Sequence, residues 1–211
     1  MTTPYKIVLE TPRLVLRVKS LKIWMMWVLY QNPNITKYIP DAPRSREEAK
    51  EDLEWHMNGH PKNRELGLWA TIHKATGKFI GRCGLLPREI DGQNEVEVAY
   101  TIAEAYQGQG LGGEAAQAIL NYGFEKLNLT RLICLIDPEN IASQKVAEKI
   151  GMKFEKEARD EMGSFWVHLI HIRYISGLDT GHLDATTRPP GTFYIPSNRS
   201  RPLRNRPLTG G

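Results

Sequence analysis

The stretch Tyr106-Gln107-Gly108-Gln109-Gly110-Leu111-Gly112-Gly113-Glu114 limits what this chain can fold into more than any other. Four glycines fall within the seven residues from Gln107 to Gly113. Behind them Ala115, Ala116, Ile119, Leu120, Phe124 and Leu127 recur near helical spacing and predict an amphipathic helix. Ahead of them Val96, Val98, Ala99, Tyr100, Thr101 and Ile102 predict a strand. A strand that enters a glycine-rich turn opening a helix is suited to holding phosphate. Glycine admits positive φ and close backbone approach, and the first helical N–H groups lack intrahelical partners. The helix dipole adds about half a positive charge at that end.

Two phosphate-binding readings compete. Gly108, Gly110 and Gly113 spell G-x-G-x-x-G, and Asp137 ends the next apolar run, as in a dinucleotide-binding unit. In such a unit the strand runs directly into the first glycine. Here Ala103 to Gln107 intervene, and too few strands follow to build two mononucleotide-binding halves. The other reading is Q-x-x-G-x-G, filled by Gln107, Gly110 and Gly112. With the preceding strand and Asn140-x-x-Ser143 beyond, this pattern resembles the GNAT acetyltransferase superfamily. Within it the chain looks like the RimJ/RimL branch of ribosomal-protein N-terminal acetyltransferases. Glu10-Thr11-Pro12-Arg13-Leu14-Val15-Leu16-Arg17 resembles that branch's first strand, and the run from Asn140 to Phe154 resembles its end. The resemblance spans roughly residues 8 to 175.

The resemblance implies an α+β fold: a mixed, mostly antiparallel sheet with one βαβ crossover and covering helices. It also implies acetyl-CoA as co-substrate, no metal, and direct attack by a primary amine within a ternary complex. The acceptor class is a protein N-terminus or a small-molecule amine. A non-catalytic acyl-CoA-binding module is the alternative from a different class. Many family members carry a tyrosine in an Asn-x-x-Ala-x-x-x-Tyr pattern, and the corresponding stretch here, Gln144-Lys145-Val146-Ala147, has none.

With 211 residues, 41% apolar and 25% charged, the chain has the make-up of an ordinary globular protein. No apolar run approaches the ~20 residues of a membrane-spanning helix. Lys6, Glu10, Arg13 and Arg17 interrupt every candidate signal-peptide core. Cys83 and Cys134 sit inside apolar strand-like runs, as buried reduced thiols would, and a cytoplasmic location is expected. Neither has a histidine nearby in sequence to make it a nucleophile, and no Cys/His spacing resembles a zinc site. The net charge of +4 is uneven. Residues 177–211 hold Arg188, Arg199, Arg201, Arg204 and Arg206 against Asp179 and Asp184, so +3 of the total lies there. Five of the thirteen prolines fall in the same segment. The expectation is a catalytic domain over residues 1–176 and a basic, disordered tail over 177–211, the one place a nucleic acid would meet the protein. A monomer and a homodimer are both compatible with the sequence.

Along the chain, Leu14 to Val18 alternates as a first strand. An apolar helix begins near Ser20 and stops at Asn32-Pro33, and Ser45-x-x-Glu48 caps the next, running to Gly59. Residues 66–86 read as a hairpin turning at Thr76-Gly77, and Pro87 to Asn94 as a turn before the central strand. Arg131 to Asp137 reads as a buried strand parallel to that one, followed by a helix from Ile141 to Ile150 closed by Gly151. Met152–Arg159 and Phe165–Tyr174 close the fold as an antiparallel pair. The early helices and the Pro87–Asn94 turn are expected to wall the acceptor groove.

The chemistry then assigns candidates. Gln107, Gly108, Gln109, Gly110, Leu111, Gly112 and Gly113 form the pyrophosphate cradle. By resemblance, Tyr100, Thr101 and Ile102 pair with the pantetheine amides, and Asn140 bonds the same arm while also suiting a helix N-cap. Glu97, at the matching position in Glu97-Val98-Ala99-Tyr100, is the candidate base for the incoming ammonium, with a water relay as the alternative. Ser143 is the candidate proton donor to the departing thiolate, against a plain helix-start role bonding backbone.

Overall fold

The computed structural model describes residues 6–18, 23–39, 42–58, 63, 65–159 and 166–173. The basic tail at 177–211 lies outside the described residues, as do the side chains of Trp24, Trp55, Met57, His168 and His171.

The described strands form one sheet in the order β1-β2-β3-β4-β5-β6-β8-β7. The first two are β1 (Lys6–Glu10) and β2 (Leu14–Val18), so a short strand precedes the one expected from the alternation. They are followed by α1 (Ile23–Tyr30), α2 (Pro33–Thr36) and α3 (Arg46–Asn58). Asn32-Pro33 does stop α1, and it also starts α2: the Asn32 side chain accepts from the Asn34 N–H, and proline occupies the first turn, where its missing N–H costs nothing. Ser45 caps α3 as the capping box requires, its Oγ accepting from the Glu48 N–H at 3.0 Å.

Strands β3 (Gly67–His73), β4 (Phe79–Ile90) and β5 (Gln93–Ile102) form an antiparallel meander. The expected eight-residue turn is in fact two residues long. Asp91 and Gly92 both take positive φ, 51° and 73°, the conformation of a type I′ hairpin turn whose twist suits flanking strands. Pro87 is tolerated within β4 because β3 stops pairing at Leu85 and leaves the rest of β4 as an edge. The long hairpin tip folds toward β7 (Lys153–Arg159), where Lys156 Nζ meets Asp91 Oδ2 at 2.7 Å.

After β5 come a short 3₁₀ turn (Glu104–Tyr106), α4 (Leu111–Glu125), β6 (Arg131–Ile136), α5 (Ile141–Lys149), β7 and β8 (Trp166–Arg173). β6 lies parallel to β5, the one parallel pairing among the described strands, and α4 makes the crossover. The closing pair is antiparallel as expected, with β8 inserted between β6 and β7.

The helices cover both faces of the central sheet. Leu14, Leu16, Trp69, Leu85 and Val98 pack with Leu111, Ala115, Ala116 and Ile119 of α4 and Ala147 of α5. On the opposite face Arg82 of β4 reaches Asp52 of α3 at 2.6 Å and Tyr30 of α1 at 2.7 Å. Double cover explains why β3 does not alternate in burial: Trp69, Ala70, Thr71 and Ile72 are all buried.

Candidate active site

The glycine loop lies at the carboxyl end of β5. Gly108 and Gly110 hold φ of 73° and 76°, which strains any residue with a Cβ, and Gly110 is the N-cap of α4. Gly112 and Gly113 lie inside the first helical turn, where backbone N–H groups lack intrahelical acceptors. Around them the space is open. A Cβ on Gly108 or Gly113 would meet nothing within 4 Å, and one on Gly112 would come no closer than 3.8 Å to Ile102. These residues therefore fit a ligand phosphate: free amides face a surface left clear of side chains.

Gln107 and Gln109 use their side chains to hold the loop. Gln107 Nε2 donates to the Ile102 carbonyl at 2.8 Å, and Gln109 Nε2 to the Ala105 carbonyl at 3.2 Å. The backbone N–H of Gln109 remains as its means of joining the cradle.

Strands β5 and β6 register at a single pair, Glu97 with Ile133. Past that pair they diverge. Cys134 Sγ donates to the Val98 carbonyl at 3.1 Å, and Tyr100, Thr101 and Ile102 are registered only on their β4 side. Ala103 N–H bonds the Ile80 carbonyl, so by alternation Thr101 also turns its backbone groups to β4, while those of Tyr100 and Ile102 border a slot between β5 and β6, where an extended chain with amides can pair as a strand would.

Asn140 begins α5 on the other side of the slot. Its Oδ1 accepts from the Ser143 N–H at 3.1 Å, the helix cap, and this leaves the Nδ2 donors uninvolved in capping. Ser143 Oγ donates to the Tyr100 hydroxyl at 3.0 Å, and that hydroxyl donates to the Ser143 carbonyl at 3.0 Å. Burial and the neighbouring Cys134 push the Tyr100 phenol well above the ordinary tyrosine range, against the Ser143 hydrogen bond that lowers it. It is a neutral hydroxyl at any physiological pH. The position of the family's helix tyrosine is taken by Ala147, fully buried one turn beyond Ser143.

Glu97 is 7% exposed, so it is no solvent-facing strand residue. Arg88 Nε donates to its Oε2 at 2.6 Å. Glu97 and Tyr100 differ in parity along β5 and project to opposite faces of the sheet. The two proton-transfer candidates, Glu97 and Ser143, are therefore separated by the sheet and approach the slot from opposite sides.

The segment from Asn32 to Tyr38, which holds α2, links the residues that follow β5 to those that follow β6. Asn32 Nδ2 and Asn34 Nδ2 donate to the two carboxylate oxygens of Glu104, at 2.6 and 2.9 Å, on the β5 side. Tyr38 Oη donates to the Glu139 carbonyl at 3.2 Å on the β6 side. At the hairpin tip, Asp91 meets Lys156 of β7, while Arg88 of the same segment reaches Glu97.

Neither cysteine is available as a nucleophile. Burial pushes the Cys83 thiol up to about 11, and burial with Glu97 nearby pushes Cys134 well above its usual value. Among the described residues no group of three His, Cys, Asp or Glu side chains can hold a metal ion, and no helix is long and apolar enough to cross a membrane.

Three features of the candidate site escaped the sequence reading: the Tyr100 phenol, the Arg88 partner of Glu97, and the contacts that Thr11 and Arg13 make to Glu114. Only the second left a usable signal. An Asp-Gly I′ turn pairs Ile90 with Gln93, which sets Arg88 beside Glu95 and diagonal to Glu97.

Comparison with known proteins agrees with this geometry. The uncharacterized N-acetyltransferase YnaD of Bacillus subtilis (strain 168) is 32% identical over 148 residues, covering 70% of this chain and 83% of YnaD. A Vibrio cholerae structure described as that of a candidate ribosomal-protein-serine acetyltransferase superposes with a TM-score of 0.64 at 24% identity, covering 82% of this chain and all of that one. RimL, the ribosomal L7/L12 alpha-N-protein acetyltransferase, superposes at 0.62 with 17% identity, covering 81% and 95%. The structural neighbours thus include the ribosomal-protein acetyltransferases that the sequence resembles. The model of the acetyltransferase (GNAT) domain matches residues 13–153, from the turn before β2 to the start of β7, and the chain belongs to that acetyltransferase family.

Proposed function

We propose that the protein transfers the acetyl group of acetyl-CoA directly to a primary amine, within a domain spanning residues 1–176. The observation that carries this reading is the slot between β5 and β6, which opens past the Glu97–Ile133 pair and leads to the glycine loop. The diphosphate rests on the amides of residues 109–113. The pantetheine amides pair along Tyr100 and Ile102 and with Asn140 Nδ2. The thioester then lies in the slot, between the Glu97 face and the Ser143 face.

The amine reaches the carbonyl carbon from the Arg82 face. Its nitrogen forms the new amide bond and gives its proton to Glu97, directly or through water. The carbon–sulfur bond breaks, and the thiolate takes a proton through Ser143 Oγ, which the proton now on Glu97 restores through solvent; Tyr100 stays a neutral hydroxyl that orients Ser143. No acyl-enzyme is needed, in keeping with the buried, protonated cysteines. The branch resemblance favours a protein N-terminus as acceptor, with small amines as the other class.

Thiol release from acetyl-CoA, measured against N-terminal peptides, lysine peptides, polyamines and amino sugars, tests the reading. Acceptor-dependent release is expected. Coenzyme binding without release for every amine would instead show a binding module.

A further inference from the structure

The segment Glu10-Thr11-Pro12-Arg13-Leu14 has no part in the reaction just described, yet the structure gives it several contacts with the coenzyme loop. The turn between β1 and β2 reaches the first turn of α4, about a hundred residues away in sequence. Thr11 Oγ1 donates to Glu114 Oε1 at 2.5 Å, and the Arg13 backbone N–H donates to the same oxygen at 2.9 Å. Arg13 Nε donates to Glu114 Oε2 at 2.6 Å, and Arg13 Nη1 to the Gln109 carbonyl at 2.9 Å. Nη2 lies 3.6 Å from where a Cβ on Gly110 would stand. The turn is itself braced: Leu14 N–H donates to Thr11 Oγ1 at 2.9 Å, and Lys74 N–H donates to the Arg13 carbonyl at 2.8 Å.

Glu114 is an odd residue to find there. A carboxylate in the first turn of a helix favours the helix itself, but it repels the phosphates that the same turn is shaped to hold. Burial works to raise its affinity for a proton, and the hydrogen bonds from Thr11 and Arg13 outweigh this, so it stays charged. Arg13 supplies the opposite charge in direct contact. Its remaining arm on the Gln109 carbonyl holds the loop in the conformation that turns the following amides outward.

The geometry points to Arg13 as a positioning residue for the coenzyme: it masks the Glu114 charge from the diphosphate and pins the loop through Gln109. This rests on the acetyl-CoA reading above.

Coenzyme A affinity by calorimetry and steady-state kinetics on the full chain test it, with Arg13→Ala, Arg13→Lys, Glu114→Gln and the Arg13→Ala/Glu114→Gln double variant. Arg13→Ala is expected to raise the Kd for coenzyme A and the KM for acetyl-CoA about 10- to 100-fold, the range of a lost charge pair facing an anion, with kcat changed less than about threefold. Arg13→Lys keeps a charge without the fork and falls between. The double variant, free of the unmasked carboxylate, recovers most of the lost affinity. A role in folding alone predicts no such recovery, so a double variant as weak as Arg13→Ala overturns the masking. Unchanged affinity in Arg13→Ala overturns the inference altogether. Should Arg13→Ala fail to fold, Arg13→Lys with and without Glu114→Gln gives the same comparison. Wild-type protein that binds no coenzyme A would refute the proposed function first, and this inference with it.

Discussion

Ser143 and Tyr100 share their hydroxyls at 3.0 Å, and the two glycine types in the cradle differ in what a side chain would do to them. Both facts sharpen residue-level predictions. Ser143→Ala and Glu97→Gln should each lower kcat about 10- to 1000-fold, the usual contribution of a positioned acid or base, with little change in coenzyme affinity. Full activity in both variants, read by steady-state kinetics, would leave water as the proton carrier. In the cradle, Gly110→Ala must strain a backbone with φ of 76°, whereas Gly112→Ala meets only an ordinary contact with Ile102. Gly112→Val is therefore the cleaner probe. It should leave the melting temperature nearly unchanged and weaken coenzyme A binding by tenfold or more, on the scale of a clash replacing a close backbone contact. Calorimetry showing unchanged affinity would mean that the loop is only a turn.

A buried charge pair joins helix α3 to the sheet. Arg82 is 1% exposed, and its Nε and Nη2 find no hydrogen-bond partner among the described residues, so its charge leans on Asp52 through Nη1. Removing one member of such a pair strands the other in low dielectric. Asp52→Ala should cost about 3 to 5 kcal/mol, measured by urea denaturation, whereas a change at the exposed Lys50–Glu54 pair of the same helix should cost well under 1 kcal/mol. A loss under about 1 kcal/mol in Asp52→Ala would show that Arg82 is compensated elsewhere. The pair was invisible in the sequence because Asp52 and Arg82 belong to different elements whose packing angle no local pattern encodes. The Ser45 cap, by contrast, was readable, since it acts within a few residues of chain, and so was the place of the turn around Asp91-Gly92, though not its two-residue length.

For the molecule as a whole, the buried thiols set an alkaline limit. Cys83 has its proton affinity raised from 9.0 to about 11, so the folded state holds that proton more tightly than the unfolded chain does. Its stabilising share is complete below pH 9.0 and is lost as pH climbs toward about 11, amounting to roughly 2 to 3 kcal/mol by the linkage relation. Melting temperature should fall across that interval, and Cys83→Ala, less stable at neutral pH, should show a flatter profile there. An equally steep fall in the variant would assign the loss to other groups, such as Tyr100.

The sequence by itself determined the succession of strands and longer helices from β2 onward, though not the short α2, together with the Ser45 cap, the parallel crossover through α4 and the glycine loop. Those depend on side-chain periodicity, turn chemistry and backbone freedom, which act over a few neighbouring residues. Only the tertiary structure decided that β8 enters between β6 and β7, that Glu97 is buried against Arg88, and that Tyr100 meets Ser143 across 43 residues. It alone set the Thr11–Arg13 turn against Glu114. The physical reason is the same in each case. A hydrogen bond or ion pair is made by whichever groups the register and packing bring within 3 Å or so, and distance along the chain does not enter that selection.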